Sequence, residues 1–284
     1  YYQSIGLGVS VGPQPLLPYI EGEGEITFFK ELDGEPVSHR FVTGGAHSFK
    51  DGQSQIGNCQ LEVYPMRPGP GMFISRYLET KGDGINHIAF NTTDIERDTQ
   101  FFLDRGCDLV FNVTTNGKTV ENYIDTRLHG DLMISLRPPA DTWEKSWRKN
   151  NESHPLVNKW KFLGLGICVN DLESASGYYS KLGYKRTEEK KVRKECKITS
   201  EEFYVSNVLF ELIQAEKDSI YKNSLAQRGD GVAEMIFQVY DLKTEMDLLK
   251  IKGAKILKVS DDKKTAYIDS CMKGNLLTRL MEID

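Results

Sequence analysis

Three side chains in the first third of the chain could do chemistry together. His87 opens an apolar run, HIAFN, and a neutral imidazole can ligate a metal or take part in proton transfer. Gln60 and Glu62 lie two positions apart in CQLEVYP, so a strand would place them on one face. An amide oxygen can ligate a metal, and a carboxylate can accept a proton. The structural alternative is a hydrogen-bonded strand histidine and a carboxylate paired with a cross-strand cation.

Composition excludes several classes of protein. The net charge of −5 argues against a nucleic-acid partner, because a phosphate-binding face needs a basic excess. No apolar run approaches the ~18 residues of a membrane helix. The cysteines are odd in number and widely spaced without a CxxC pair, which predicts reduced thiols in a cytoplasmic protein. They are Cys59, Cys107, Cys168, Cys196 and Cys271.

An internal repeat organises the elements that must position these side chains. GDGINHIAFNTTDI at residue 82 returns as GDGVAEMIFQVYDL at 229, and YIDT at 123 returns as YIDS at 267. Each copy has a β-rich run, a helix, and then several short strands. Capping boxes at Thr93 and Asn170 predict two helix starts, and Gly106, Gly183 and Gly253 predict helix ends. The sequence therefore predicts an α+β fold of tandem βαβββ units that form two cup-shaped, mixed-sheet domains.

The domain limits follow from the repeat offsets. We expect a first domain at residues 1–140, a connector at 141–160 and a second, degenerate domain at 161–284. Tyr1 to Gln60 spans 59 positions and the matching second copy spans 32, so the first copy carries 27 extra residues within 9–45, as a long functional loop or hairpin. Three tryptophans fit a ligand clamp or, better, packing against the cups: Trp143, Trp147 and Trp160.

Residues 57–110, with HIAFNTTDI and the later FFLDRG, resemble the vicinal oxygen chelate superfamily of glyoxalases, bleomycin-resistance proteins and dioxygenases. The pattern is closest to methylmalonyl-CoA epimerase. The resemblance implies a glyoxalase-like fold and a divalent metal held in a cup by residues of four strands. By motif, Gln60 and His87 take two of these places, and Ser135 stands where the family commonly has glutamate. The first-strand place falls before Tyr1, so the first strand is expected to be missing and Tyr1 and Tyr2 to belong to a helix.

The second half departs from the same metal-binding pattern. Its four places fall on Gly164, Phe210, Glu234 and Arg279. Glycine and phenylalanine have no ligating side chain, and a protonated arginine repels a metal. We therefore expect no metal in the second half, and a divalent ion only in the first. There Glu62 or Asp131 would have to replace the carboxylate lost at Ser135.

Two functions remain open after the sequence is considered. In the first, the protein is an isomerase or lyase that acts with a metal on a small carbonyl or thioester substrate, with Glu62 and His87 catalytic. In the second, a metal-free cup binds a small molecule, as resistance proteins of this fold do. An extradiol-type dioxygenase is disfavoured by Ser135. Both functions imply that the protein binds a small molecule, and neither nucleic acid nor a membrane. A homo-oligomer is compatible with both functions.

Overall fold

The computed structural model describes residues 9–15, 23–29, 36–42, 50–63, 73–139, 153–154, 159–187, 190–269 and 276–283. The expected helix at Tyr1 and Tyr2, most of the connector, and the side chains of Trp143, Trp147 and Cys271 lie outside this part of the chain. Within it, no helix is both long and apolar enough to span a membrane.

The strands before residue 140 form two sheets. One has the order β1-β4-β5, and the other has the order β3-β2-β7-β8-β9-β6. Within the second sheet, β6 runs parallel to β9 and the other pairs are antiparallel. The strands are β1 Val9–Pro15, β2 Glu23–Phe28, β3 Val37–Val42, β4 Lys50–Ile56, β5 Cys59–Val63, β6 His87–Asn91, β7 Leu109–Thr115, β8 Lys118–Ile124 and β9 Met133–Arg137.

The strands after residue 160 form one nine-stranded mixed sheet. Its order is β11-β13-β14-β10-β15-β18-β17-β16, with β12 paired to β13. The pairs β10–β14 and β15–β18 are parallel. The strands are β10 Lys161–Cys168, β11 Lys185–Arg186, β12 Lys191–Arg193, β13 Ile198–Val205, β14 Val208–Ala215, β15 Gly231–Val239, β16 Lys255–Val259, β17 Thr265–Asp269 and β18 Leu277–Glu282.

Five helices are described, and they connect the strands in a recurring way. They are α1 Phe73–Lys81, α2 Ile95–Leu103, α3 Leu172–Lys181, α4 Lys222–Arg228 and α5 Leu242–Ile251. Strand β6 is followed by α2 and three strands, and β15 is followed by α5 and three strands. Strand β10 is followed by α3 and four strands, of which the short β11 and β12 both pair with β13. In each case the first strand pairs parallel with the last. This confirms the predicted α+β fold with mixed sheets built from βαβββ units.

The helix ends agree with the sequence, and the helix starts need a correction of one residue. Gly106, Gly183 and Gly253 follow helices with φ of +82° to +83°, which is the left-handed conformation that ends a helix. The N-caps are Asp94 and Asp171, not the predicted Thr93 and Asn170. Each aspartate accepts a hydrogen bond from the backbone N–H three residues later, which a carboxylate at the N-terminus of a helix favours.

The extra residues of the first copy include a hairpin that widens the six-stranded sheet. β2 and β3 pair with each other, and β2 also pairs with β7. The hairpin alternative of the sequence prediction is therefore the one that the structure shows.

The two halves share one hydrophobic core. It includes Phe102 of α2, Leu172 of α3, Leu249 of α5 and Trp160, which is 1% exposed. Asn58, in the β4–β5 turn, contacts the start of β10 in the second half. Its Oδ1 accepts a hydrogen bond from Phe162 N at 2.7 Å, and its Nδ2 donates to Phe162 O at 3.2 Å. The first-half strands that carry the candidate residues are thus held against the second half.

Candidate active site

A cleft of about 860 Å³ separates β5 from β6. Gln60 and Glu62 on β5 and His87 on β6 all line it, and all three are partly buried. Apolar side chains from both halves line the rest, among them Phe162 and Met235. The three residues singled out in the sequence therefore border the same cavity, although β5 and β6 belong to different sheets.

His87 is held in one orientation as a neutral imidazole. Its Nδ1 lies 2.6 Å from Asn86 Oδ1, so Nδ1–H donates to that oxygen, and its Nε2 accepts from the Tyr123 hydroxyl at 3.2 Å. The Tyr123 ring also meets the imidazole edge-on, with 4.9 Å between centroids. Desolvation, and secondarily the charge of Arg137, lowers the pKa of His87 to about 4. The structural alternative, a hydrogen-bonded strand histidine, thus describes its contacts correctly.

Ser135 is engaged with a carboxylate that the sequence reading missed. Its hydroxyl donates to Glu121 Oε1 at 2.7 Å, and both side chains are buried. Ser135 pairs with Tyr123 across β8–β9 and with Ala89 across β6–β9, so this pair adjoins His87. The sequence signal for this contact was the two-residue period of β8, which places Glu121 on the same face as Tyr123. Glu121 thus places a buried carboxylate next to Ser135, while the eighth-strand place itself remains a serine.

Asp131 does not replace that carboxylate. It lies before β9 at φ +48°, so the alternation of the strand does not reach it. Its carboxylate is 3.5 Å from Lys81 Nζ, and desolvation raises its pKa. Asp131 could replace the carboxylate lost at Ser135 only from the same face of the strand, and it does not share that face because the chain leaves the extended conformation at this residue.

The described residues do not complete a metal site in the first half. A neutral imidazole and an amide oxygen suit a divalent ion. Nevertheless, the part of the chain that the structure describes contains no group of three His, Cys, Asp or Glu side chains placed to hold one. His87 Nε2 is also occupied by the Tyr123 hydroxyl. We therefore derive no catalytic step through a metal.

Buried charges occupy the corresponding place in the second half. Arg279 Nη2 lies 2.5 Å from Glu211 Oε2 and 2.8 Å from Glu234 Oε1. Burial alone raises the pKa of Glu211, but the charges of Arg279 and Arg193 outweigh it and lower this pKa to about 2. Desolvation raises the pKa of Glu234. Two of the residues predicted for these places, Glu234 and Arg279, are therefore in contact as an ion pair.

The fourth-strand alignment of the second half needs a correction of one residue, because the hairpin turns match Gln60 with Leu209, and not with Phe210, and match Glu62 with Glu211. Phe210 packs in the shared hydrophobic core, and Glu211 points to Arg279. The β4–β5 and β13–β14 hairpins both turn over two residues, between the pairs Ile56↔Cys59 and Val205↔Val208. Aligned on these turns, Glu211 corresponds to Glu62. The similarity in sequence had suggested an alignment shifted by one residue, which exchanges the faces of a strand.

We predict that acid destabilises the protein through His87. The folded-state pKa of about 4 lies below the ordinary value of 6.5, so the unfolded chain binds more protons between these values. Unfolding free energy should therefore fall as the pH drops from about 6.5 to 4, by at most about 3 kcal/mol. Urea unfolding at several pH values measures this, and His87→Gln should flatten the slope. An unchanged slope in that variant would contradict the assignment.

Comparisons with known proteins agree with this fold. A triple mutant of 4-hydroxymandelate synthase from Streptomyces coelicolor matches 92% of this chain and 84% of its own length, with a TM-score of 0.60 and 14% identity. Methylmalonyl-CoA epimerase from Mycobacterium tuberculosis matches 44% of this chain and 88% of its own, with a TM-score of 0.38 and 21% identity. No protein-family model matches the sequence, and no curated protein matches it significantly.

The chain shares the fold of this synthase, an α+β fold with mixed sheets, as the sequence predicted. The synthase match carries this conclusion because it spans nearly the whole chain. At 14% identity it establishes the fold alone, and the epimerase overlap is too low to add to it.

Proposed function

We propose that the protein is an isomerase or lyase with the vicinal oxygen chelate fold, and that it acts on a small carbonyl or thioester compound at the cleft between β5 and β6. The observation that carries the proposal is that Gln60, Glu62 and His87 all line this cleft. Its apolar walls suit the carbon skeleton of a small molecule.

Each of the three residues has a proposed role. The Glu62 carboxylate accepts the proton from the carbon next to the carbonyl, and the Gln60 amide donates a hydrogen bond to the oxygen on which charge develops. His87, neutral at pH 7, borders the reacting carbon without adding charge. Gln60 and His87 also remain our proposed ligands of a divalent ion of unknown identity, which would polarise the substrate oxygens when bound. Among the described residues, no three His, Cys, Asp or Glu side chains are placed to hold such an ion.

We expect Glu62→Gln to slow proton exchange by at least ~100-fold, since it removes the proton acceptor while keeping the size of the side chain. The measurement is loss of the α-proton signal of simple 2-oxo acids and acyl thioesters in D₂O, followed by NMR. Glu79→Gln, at an exposed position on α1, is the matched control.

The variant His87→Ala tests separately whether His87 binds the proposed metal and whether it takes part in the proposed reaction. The bound metal per chain is measured by elemental analysis in wild type and variant, and Tyr123→Phe serves as a control that keeps the imidazole. A variant with unchanged metal content and unchanged exchange would refute both roles of His87. If Glu62→Gln exchanges protons at the wild-type rate, the proposed role of Glu62 as proton acceptor is refuted.

A metal-free small-molecule binding or resistance protein is the second candidate. Hydrogen bonds engage both ring nitrogens of His87, and the Ser135 hydroxyl is paired with Glu121. These groups are therefore already satisfied within the protein, which favours a metal-free binding function. On this reading, small aromatic compounds bind with equal affinity to wild type and Glu62→Gln, and no exchange occurs. The dioxygenase reading still lacks a carboxylate at Ser135.

The remaining expectations are kept as parts of the same proposal. We propose a first domain at 1–140, a connector at 141–160 and a second domain at 161–284, and that the two domains are related as a tandem repeat. We further propose that the protein is cytoplasmic and that its partner is a small molecule. A homo-oligomer is compatible with this proposal.

A further inference from the structure

One arginine of the second half contacts the wall of the cleft that leads to His87. Arg228, at the end of α4, is 5% exposed and donates a hydrogen bond from Nη2 to the Tyr77 hydroxyl of α1. Tyr77 itself lines the cleft. The guanidinium also lies against Gly84, where a Cβ would come within 1.8 Å of Nη2. A buried charge of the second half therefore lies beside this wall of the first-half cleft.

The hydrogen bonds of Tyr77 continue toward His87. The Tyr77 hydroxyl donates to the carbonyl oxygen of Ile85 at 3.2 Å, and Ile85 is two residues before His87. Burial raises the pKa of Tyr77 although the charge of Arg228 opposes this, so the hydroxyl keeps the proton that it donates. Arg228 and His87 are thus connected through one phenol and one short backbone segment.

Asn86 links this backbone segment to the imidazole. Its carbonyl accepts a hydrogen bond from Met133 N at 2.9 Å, and its side-chain oxygen accepts from His87 Nδ1 at 2.6 Å. The hydrogen bonds of the two ring nitrogens set which of them carries the proton. A shift of residues 84–86 would therefore remove the contact that keeps the proton of His87 on Nδ1.

A second contact holds the ends of α1 and α4 together. Lys81, the last residue of α1, donates from Nζ to Arg228 O at 2.7 Å and to Asp230 O at 3.1 Å. A lysine in this position satisfies a carbonyl at the C-terminus of a helix, which has no partner within the helix. Arg228 is therefore held to α1 through both its backbone and its side chain.

We infer that Arg228 is a positioning residue for the cleft, and that it acts through Tyr77 and residues 84–86 to hold His87 as the Nδ1–H tautomer. The inference rests on the proposed function only in taking this cleft as the active site. A guanidinium suits the role because its several donors lie in one rigid plane. The second half would thus organise a site in the first half through a residue that does not itself line the cleft.

The test determines the tautomer of His87 by ¹⁵N NMR of the imidazole nitrogens in the full chain at pH 7, with His87→Gln to assign the signals. We expect the proton on Nδ1 in wild type. In Arg228→Met and in Tyr77→Phe, the Nδ1–H form should fall below half of the population. Arg228→Lys keeps a cationic donor and should retain the wild-type signals. Ser174→Ala is the matched control, since it removes a different hydrogen bond between the halves, 3.2 Å from Ser174 Oγ to His129 Nε2.

Proton exchange is the second measurement, and it separates this inference from the proposed function. Where wild type catalyses exchange, Arg228→Met and Tyr77→Phe should lower kcat by about 10- to 100-fold with KM nearly unchanged, because a reacting group is misplaced. A wild type without exchange contradicts the proposed function, and the tautomer comparison still tests the role of Arg228. Folded Arg228→Met and Tyr77→Phe variants that keep the wild-type tautomer would overturn the inference. If Arg228→Met does not fold, Tyr77→Phe, which keeps the aromatic ring, decides.

Discussion

Glu211→Ala should lower the free energy of unfolding by about 3–5 kcal/mol, one of the two largest losses we expect from a single substitution. The variant leaves Arg279 buried at 1% exposure with Glu234 as its remaining carboxylate partner among the described residues, and Arg193 loses its buried partner. A buried charge that loses a partner costs far more than the intact pair contributes, because desolvation is no longer offset. Urea unfolding at pH 7 measures the loss.

Replacing the whole charged group is the control for that loss. Glu211→Leu, Glu234→Leu and Arg279→Met together remove the three fully buried charges at similar volume and leave Arg193, which is partly exposed and lies 3.8 Å from Glu202, so most of the lost stability should return. A triple variant as unstable as Glu211→Ala would indicate that packing, and not an unpaired charge, explains the loss. Acid should act in the same direction as Glu211→Ala. The folded-state pKa of Glu211, about 2, lies below its ordinary value, so stability is lost as the pH falls from about 4.5 toward 2.

Trp160→Ala should cost about 3–5 kcal/mol, the range for emptying a large buried aromatic site. Trp160 is 1% exposed, lies in the shared core, and packs on Phe237 with 5.4 Å between ring centroids. Its carbonyl also approaches Gly57 so closely that a Cβ there would lie 1.9 Å away. The indole is therefore packed where the β4–β5 turn meets the second half. Thermal and urea unfolding measure the effect.

Trp160→Phe is the matched variant for this prediction, because it keeps an aromatic ring and should lose less than half as much stability. If Trp160 belonged to a ligand clamp, Trp160→Ala would instead leave stability nearly intact and weaken ligand binding. That outcome would contradict the packing interpretation. The corresponding question for Trp143 and Trp147 stays a prediction, since both lie outside the described residues.

Local sequence patterns were sufficient to predict the recurring order of a strand, a helix and further strands that begins at β6, β10 and β15. Apolar runs of period two, acidic residues at helix starts and glycines at helix ends are signals between near neighbours, and they specified the βαβββ units correctly. The cap predictions failed by one residue because Thr93 and Asp94 are both good caps, and only the backbone decides which one meets the free N–H groups. His87 was found from its chemical type at the start of an apolar strand, Gln60 from the resemblance to the family's motif, and Glu62 from its two-residue spacing to Gln60.

Which polar groups come into contact depends on the tertiary structure and not on local sequence patterns. Glu121 reaches Ser135 from the neighbouring strand, and Glu211 instead of Phe210 faces Arg279. Both contacts depend on strand register, which turn geometry and the pairing of distant segments set, and a slip of one residue exchanges the two faces of a strand. Residues 211 and 279 are far apart in sequence, so no local pattern relates them. Their contact exists because burial of two carboxylates in one sheet requires a nearby cation.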